Sequence, residues 1–309
     1  MLATKIRSAF TPCSLASWPT ALEAHPGLAR VLGLDALWLK REDRVGGNKV
    51  RGLEFLLAGA PRDSVFVTIG GTGSSHCLAT ARMAAAQGHR SAVAVFPQPE
   101  TNASRGVAAA LAAHANLVAR ATNMFSFPFA VLRAWRLAGR LGTPRWIPGG
   151  GADPRAVLGH FLATLELSSQ LDAPPGAIVV PLGTGGTAAG IVLGVAWLGW
   201  PTDVIAVRVA SRVVANRSRT LRLARRAAGL VRQSGLEFGV PRSALRVRVV
   251  DALGKGYGHP TPEGERASAL AGEHGLRLDP TYGAKAFSVM MSPTYHAPRT
   301  VFWHTFAWP

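Results

Sequence analysis

The stretch AIVVPLGTGGTAAGIVLGVAWLG, residues 177–199, carries the clearest signal of the fold. Its first residues, AIVVP, are apolar without alternation, as in a strand that is buried on both faces of a parallel sheet. A glycine-rich turn follows, and the apolar segment GIVLGVAWLG then continues as a helix. A strand, a tight turn and a helix in this order predict an α/β fold with the turn at the carboxyl end of the strand.

The glycine-rich turn has the composition of an anion-binding loop. Gly183, Gly185 and Gly186 let backbone N–H groups turn toward a ligand, and the positive end of the helix dipole adds to them. Thr184 and Thr187 add hydroxyl donors. We therefore expect a phosphate to bind at 183–187, and the alternative is a tight turn that holds no ligand.

The same glycines also match G-x-G-x-x-A, the pattern of dinucleotide-binding folds, and Asp203 follows Gly183 by 20 residues. The ribose-binding acid belongs at the carboxyl end of the second strand, whereas Asp203 begins the predicted strand DVIAVRVA. An NAD-binding oxidoreductase is therefore disfavoured, although it stays an alternative.

Short apolar runs alternate with Ala- and Leu-rich helical stretches along the whole chain. The predicted strands are 36–40, 64–70, 91–96, 116–120, 177–181, 203–210, 245–250 and 299–305. The predicted helices are 49–60, 77–88, 103–114, 125–140, 155–171, 186–199, 216–230 and 262–275. This alternation predicts parallel sheets with helices on both faces. The segment IPGGGADP, 147–154, is the best candidate for a domain boundary.

The charge of the chain is strongly basic, with 34 Lys and Arg against 17 Asp and Glu and a formal net charge of +17. Apart from 222–232 and 242–248, the arginines are scattered singly, and few aromatic residues lie between them as a base-stacking surface needs. We expect no nucleic-acid partner, and a non-catalytic basic binding protein stays an alternative.

The sequence indicates neither a membrane span nor a metal site. Residues 173–202 are uncharged, but prolines and glycines interrupt them, so they predict a strand, a loop and a helix. Cys13 and Cys77 match no metal-ligand spacing, and they indicate a reducing compartment.

One lysine stands out, because only five of the basic residues are lysine and one of them lies in GGNKVRGLEF, 46–55. Arginine keeps its proton at any accessible pH, whereas a lysine amine can be desolvated and act as a nucleophile or a base. Lys49 is therefore a candidate catalytic residue.

Two further stretches offer polar groups on loops. In VTIGGTGSSHCLATA, 67–81, a predicted helix starts at Ser74, Ser75 and His76, which could bind a carboxylate or serve only as an N-cap and a structural histidine. In 254–287, Tyr257 and Tyr282 lie among glycines and prolines, where phenols can relay protons or only anchor the loop.

Four motifs, GGNKVRGLEFLL, TIGGTGSSH, PLGTGGTAAG and GYGHPTPEG with LDPTYGAKA, resemble in the same order those of the D-cysteine desulfhydrase and 1-aminocyclopropane-1-carboxylate deaminase family. These are pyridoxal-phosphate enzymes with the tryptophan synthase β-subunit fold, fold type II. The likeness covers essentially the whole chain. It implies two lobes, with residues 1–54 and 150–309 in a large cofactor-binding domain and residues 55–149 in a small one.

The resemblance implies roles for particular residues. Lys49 corresponds to the lysine that forms the Schiff base with the cofactor aldehyde, and the 183–187 loop to the one that holds its phosphate. Ser74 matches the serine near the substrate carboxylate, Tyr257 and Tyr282 the two active-site tyrosines, and Thr305 a residue facing the pyridine nitrogen.

Several positions depart from the pattern, and one of them lies at the candidate cofactor site, because the family usually has S-N-H where this chain has Ser74-Ser75-His76. The usual asparagine beside the phenolic oxygen of the cofactor is missing, and Asn48 or Ser75 is the candidate to replace it. His76 completes the candidate cofactor contacts.

The reaction that the resemblance implies is β-elimination from D-cysteine or another β-substituted alanine, which gives pyruvate and ammonia. A neutral hydroxyl at Thr305 suits elimination, whereas a carboxylate would favour the deaminase. Ring opening of 1-aminocyclopropane-1-carboxylate and a biosynthetic elimination or replacement reaction are the alternatives within the same chemistry. A small amino acid as substrate, a homodimer and a cytoplasmic location are the further expectations.

Overall fold

The computed structural model describes residues 2–306, which contain ten strands and eleven helices. The strands are β1 Leu22–Ala24, β2 Ala36–Arg41, β3 Ser64–Gly71, β4 Arg90–Phe96, β5 Leu117–Arg120, β6 Thr143–Trp146, β7 Ala177–Leu182, β8 Asp203–Arg208, β9 Arg248–Asp251 and β10 Arg299–His304. The helices are α1 Leu2–Phe10, α2 Pro26–Val31, α3 Lys49–Leu56, α4 Ser75–Ala86, α5 Asn102–His114, α6 Phe127–Leu141, α7 Pro154–Ser168, α8 Gly186–Leu198, α9 Arg217–Gln233, α10 Pro262–Glu273 and α11 Gly283–Ser288.

The larger sheet has six strands in the order β1-β2-β10-β7-β8-β9. Its strands are parallel except for β1, which pairs with β2 in the antiparallel direction. Alternate residues of β7 point to opposite faces, so that Ile178 and Val180 pack with α7, α8 and α9. Ala177 and Val179 pack instead with α2, α10 and α11. The expected parallel sheet with helices on both faces is therefore confirmed.

The smaller sheet has four parallel strands in the order β5-β4-β3-β6. One face packs against the alanines of α6, and the other packs against α4 and α5. All four strands fall within residues 64–146. The domain limits at 54/55 and 149/150 stay a prediction.

All eight predicted strands and all eight predicted helices are present, with ends that differ by a few residues. The sequence patterns missed β1, β6, α1, α2 and α11. Strand β6 has the sequence TPRW, which is largely exposed and includes a proline, and it is a strand because it pairs with the edge of β3. The segment that contains Tyr282 was expected to be a loop, but α11 begins at the next residue.

No helix within residues 2–306 is both long enough and apolar enough to cross a membrane.

Helix α3, which starts at Lys49, lies against α7 because glycines allow the two backbones to approach closely. A Cβ added at Gly159 of α7 would lie 2.1 Å from the carbonyl oxygen of Arg51 on α3. A Cβ added at Gly52 of α3 would lie 2.9 Å from the Cβ of Ala156. The position of α3 therefore depends on the absence of side chains at this crossing.

We expect Gly159→Ala to destabilise the protein by about 2–3 kcal/mol, because the new methyl group would push α3 away from α7. The matched control is Gly229→Ala in α9, where an added Cβ has only the end of the Arg232 side chain near it, at 4.0 Å. That variant should be unchanged or more stable by about 0.5–1 kcal/mol. Urea unfolding midpoints measure both, and equal midpoints for the two variants would contradict the close crossing.

Candidate active site

A cavity of about 480 Å³ lies where the carboxyl ends of several parallel strands meet. Residues that follow β2, β3, β7 and β10 all reach it, although they are far apart in the sequence. The predicted site residues that line it are Asn48, Lys49, Ser74, Ser75, His76, Gly183, Thr184, Tyr257, Tyr282 and Thr305. Gly185, Gly186 and Thr187 do not line it; they form the start of α8 directly behind it.

Lys49 is the first residue of α3, and its side chain is partly accessible through the cavity. Burial lowers the pKa of its amine from 10.5 to about 8. No carboxylate within residues 2–306 forms an ion pair with this amine. The amine therefore loses its proton far more readily than an ordinary lysine near physiological pH, as a nucleophile or a base requires.

A buried cluster of ions that lies outside the cavity lining anchors α3. The guanidinium of Arg51 donates to both carboxylate oxygens of Glu42, at 2.7 and 2.8 Å, and to both of Glu166, at 3.0 and 2.9 Å. The Lys40 amine donates to the same Glu166 carboxylate. Two cations and two anions balance one another, so no buried charge lacks a partner in this cluster.

The residue before Lys49 is held in place from two sides. The backbone N–H of Asn48 donates to the carbonyl oxygen of Thr305 at 2.9 Å, and its side-chain amide donates to the Thr187 hydroxyl at 2.6 Å. One of the two amide hydrogens of Asn48 is therefore already directed at α8. Ser75 makes no side-chain hydrogen bond within the described part of the chain, so its hydroxyl is available to a ligand.

The glycine loop after β7 has the geometry of an anion site. Gly185 precedes α8 with a φ of 94°, a left-handed conformation that favours glycine. The first N–H groups of a helix of 13 residues therefore follow directly behind the cavity. Arg219 of α9 lines the same wall, and its Nε donates to the Thr184 carbonyl oxygen at 3.4 Å.

Ser74 and His76 lie at the start of α4. The Ser74 hydroxyl accepts from the backbone N–H of Cys77 at 3.3 Å, so this serine is an N-cap that also lines the cavity. His76 Nε2 lies 2.9 Å from the Thr68 hydroxyl. Burial and the nearby Lys49 charge lower the pKa of His76 to about 3, which keeps the imidazole neutral.

Tyr257 and Tyr282 face each other, and their hydroxyl oxygens are 2.6 Å apart. Burial raises the pKa of Tyr257 to about 12 and raises the pKa of Tyr282 well above its ordinary value. Both phenols therefore keep their protons near neutral pH and can donate them.

Sequence reasoning missed part of the cavity wall, namely Ile69, Gly70, Gly71, Phe96, Met124, Gly149, Gly150, Pro181, Ala210, Ser211, Val214 and Arg219. Ala210 and Ser211 follow the carboxyl end of β8, the neighbour of β7, so the rule that sites lie at these ends would have found them. Asp203 is at the other end of β8, beside the first residue of β7, and cannot reach the glycine loop.

Comparison with known proteins identifies related sequences and folds. Residues 13–305 match the family model described as pyridoxal-phosphate dependent enzyme. Nocardicin C-9' epimerase of Nocardia uniformis is 37% identical over 93% of this chain and 90% of that protein. D-cysteine desulfhydrase of Salmonella paratyphi B is 30% identical over 90% of this chain and 87% of that protein. A crystal structure of an ACC deaminase homologue superimposes with a TM-score of 0.82 at 27% identity, covering 98% of this chain and 94% of the other.

The low pKa of Lys49 has a consequence for stability in protein that carries no ligand. Below about pH 8 the folded protein must bury a charged amine, whereas the unfolded chain keeps its proton up to 10.5. We expect Lys49→Met to be more stable than the wild type near neutral pH, by on the order of 2 kcal/mol. This gain should shrink as the pH rises from about 8 toward 10.5.

Urea unfolding as a function of pH measures this difference. Lys255→Met, at an exposed lysine, is the control and should show no such pH-dependent gain. Equal stability of Lys49→Met and the wild type at every pH would show that the amine is not desolvated.

Proposed function

The chain belongs to the family of pyridoxal-phosphate-dependent enzymes and uses that cofactor; from this premise we propose that it eliminates the β-substituent of D-cysteine or another β-substituted alanine. With D-cysteine and one water, the products are pyruvate, ammonia and hydrogen sulfide. The family membership removes the NAD-binding oxidoreductase and the non-catalytic basic protein from the alternatives. The homodimer and the cytoplasmic location stay predictions.

The residues of the cavity fit pyridoxal phosphate. The cofactor needs an amine that can lose its proton for its aldehyde and a set of donors for its phosphate, and Lys49 and the loop 183–187 have these properties. Ser75 would donate to the phenolic oxygen, because its hydroxyl lines the cavity and has no side-chain partner within residues 2–306, whereas Asn48 already donates to Thr187. Thr305 would face the ring nitrogen with a neutral hydroxyl.

When bound, the cofactor withdraws electrons from the Cα of the amino acid attached to it. The neutral Lys49 amine would then accept the Cα proton. The Ser74 hydroxyl and the N–H groups at the start of α4 would hold the substrate carboxylate. The Tyr257 and Tyr282 hydroxyls would donate a proton to the departing sulfur, because both phenols are protonated near neutral pH.

The observation that best supports β-elimination is the absence of acidic side chains from the described cavity wall. No Asp or Glu is found among the described residues that line it. The group that would meet the ring nitrogen is then the neutral hydroxyl of Thr305, which would leave that nitrogen unprotonated. A carboxylate there would instead favour ring opening of 1-aminocyclopropane-1-carboxylate.

Epimerisation at Cα is the second candidate, because a relative 37% identical is named an epimerase. Epimerisation begins with the same removal of the Cα proton by Lys49. It differs in that a proton returns to Cα from the other face and no group leaves.

We expect wild-type protein with pyridoxal phosphate to show a visible absorption band and to form pyruvate from D-cysteine. Lys49→Ala should lose both, and Lys255→Ala, at an exposed lysine, should keep both. The assay is run in D₂O with D-cysteine, L-cysteine, β-chloroalanine and 1-aminocyclopropane-1-carboxylate.

Pyruvate formed from the β-substituted alanines would support elimination. Deuterium incorporated at Cα without any pyruvate would instead show that the reaction is epimerisation. A visible band with neither pyruvate nor deuterium for any β-substituted alanine would contradict the proposed reaction while leaving the cofactor in place.

A further inference from the structure

Another fully buried lysine, Lys285, lies outside the cavity lining, three residues after Tyr282. It is the third residue of α11, and none of its surface is exposed. Its amine donates to the carbonyl oxygen of Leu253 at 2.8 Å and to that of Gly256 at 3.4 Å. The loop that carries Tyr257 is therefore fastened to the helix that follows Tyr282.

The Tyr257 loop needs such an anchor because its glycines leave the backbone free to adopt many conformations. Between β9 and α10 the chain has no regular structure, and Gly254, Gly256 and Gly258 all have positive φ, at 62°, 144° and 81°. Glycine loses more conformational freedom on ordering than any other residue. A hydrogen bond from a charged amine is stronger than one between neutral groups, so Lys285 offsets part of this cost.

Tyr282 is held by an acid on the same segment. The Asp279 carboxylate accepts from the backbone N–H groups of Tyr282 at 2.7 Å, Gly283 at 2.8 Å and Thr281 at 3.1 Å. This cap begins α11 and directs the Tyr282 ring toward the cavity. Asp279 and Lys285 attract each other electrostatically, although burial lowers the pKa of Lys285 to about 8.

We infer that Lys285 is a positioning residue, which keeps the Tyr257 hydroxyl within hydrogen-bond distance of the Tyr282 hydroxyl by clamping the carbonyl groups of Leu253 and Gly256. Lys285 touches neither the cavity nor the reacting atoms; it acts through Tyr257. The inference rests on the proposed function only in that the tyrosine pair takes part in the reaction.

The test compares Lys285→Met with Lys255→Met in the holoenzyme. Both variants remove a lysine amine, but Lys255 lies exposed within the same loop. Hydrogen–deuterium exchange should become about tenfold faster or more for amides 254–259 in Lys285→Met, because the charge-assisted bonds are lost. Lys255→Met should exchange as the wild type does.

Kinetics separate positioning from a general loss of structure. Lys285→Met should lower kcat about tenfold or more with a smaller change in KM and an unchanged visible band. In a Tyr257→Phe background the same substitution should lower kcat less than about twofold, because it acts through a hydroxyl that is already absent. Should Lys285→Met not fold, Lys285→Gln, which keeps a neutral donor, should give an intermediate exchange rate.

Unchanged exchange at 254–259, or the same loss of kcat with and without the Tyr257 hydroxyl, would overturn the inference. If the wild type turns over none of the amino acids tested, the proposed function fails, and the exchange measurement then decides the positioning role by itself.

Discussion

The buried guanidinium of Arg51 is the interaction on which the site depends. Arg51 lies two residues after Lys49, and its paired hydrogen bonds to Glu42 and Glu166 tie α3 to the end of β2 and to α7. A planar guanidinium that meets two carboxylates in this way admits one orientation. Because a buried ion without its partner is costly, the cluster keeps its arrangement, and α3 presents its first residue to the cavity.

Glycines that allow backbone segments to approach closely also position the groups of the site. The glycines at the crossing of α3 and α7 remove the side chains that would separate the two helices. The left-handed Gly185 ends the turn after β7, so that the first N–H groups of α8 lie at the carboxyl edge of the larger sheet. Since the carboxyl ends of parallel strands meet at the same edge, the amine, the glycine loop and Thr305 reach one cavity.

Burial in the cavity shifts the pKa values of its titratable groups toward their neutral forms. No acidic side chain on the described wall stabilises an ammonium at Lys49, and His76 and the two tyrosines are uncharged near neutral pH. Burial therefore lowers the pKa of the amine and raises the pKa of the phenols in the same cavity. A base and an acid with separate roles follow from one physical cause, which is desolvation.

The sequence by itself determined the α/β fold and the strand–turn–helix at 177–199, because apolar periodicity and glycine turns are local properties. It indicated Lys49, Tyr257 and Tyr282 as candidates through their side-chain chemistry and the motifs that contain them. The sequence patterns did not predict strand β6 or helix α11, because their own composition does not favour these elements. Pairing with β3 stabilises β6, and hydrogen bonds to the Asp279 carboxylate stabilise the start of α11. Only the tertiary structure decided which distant groups meet, as Arg51 meets Glu166 and Lys285 meets Leu253. Sequence spacing carries no information on such contacts, because the packing of helices and sheets sets them.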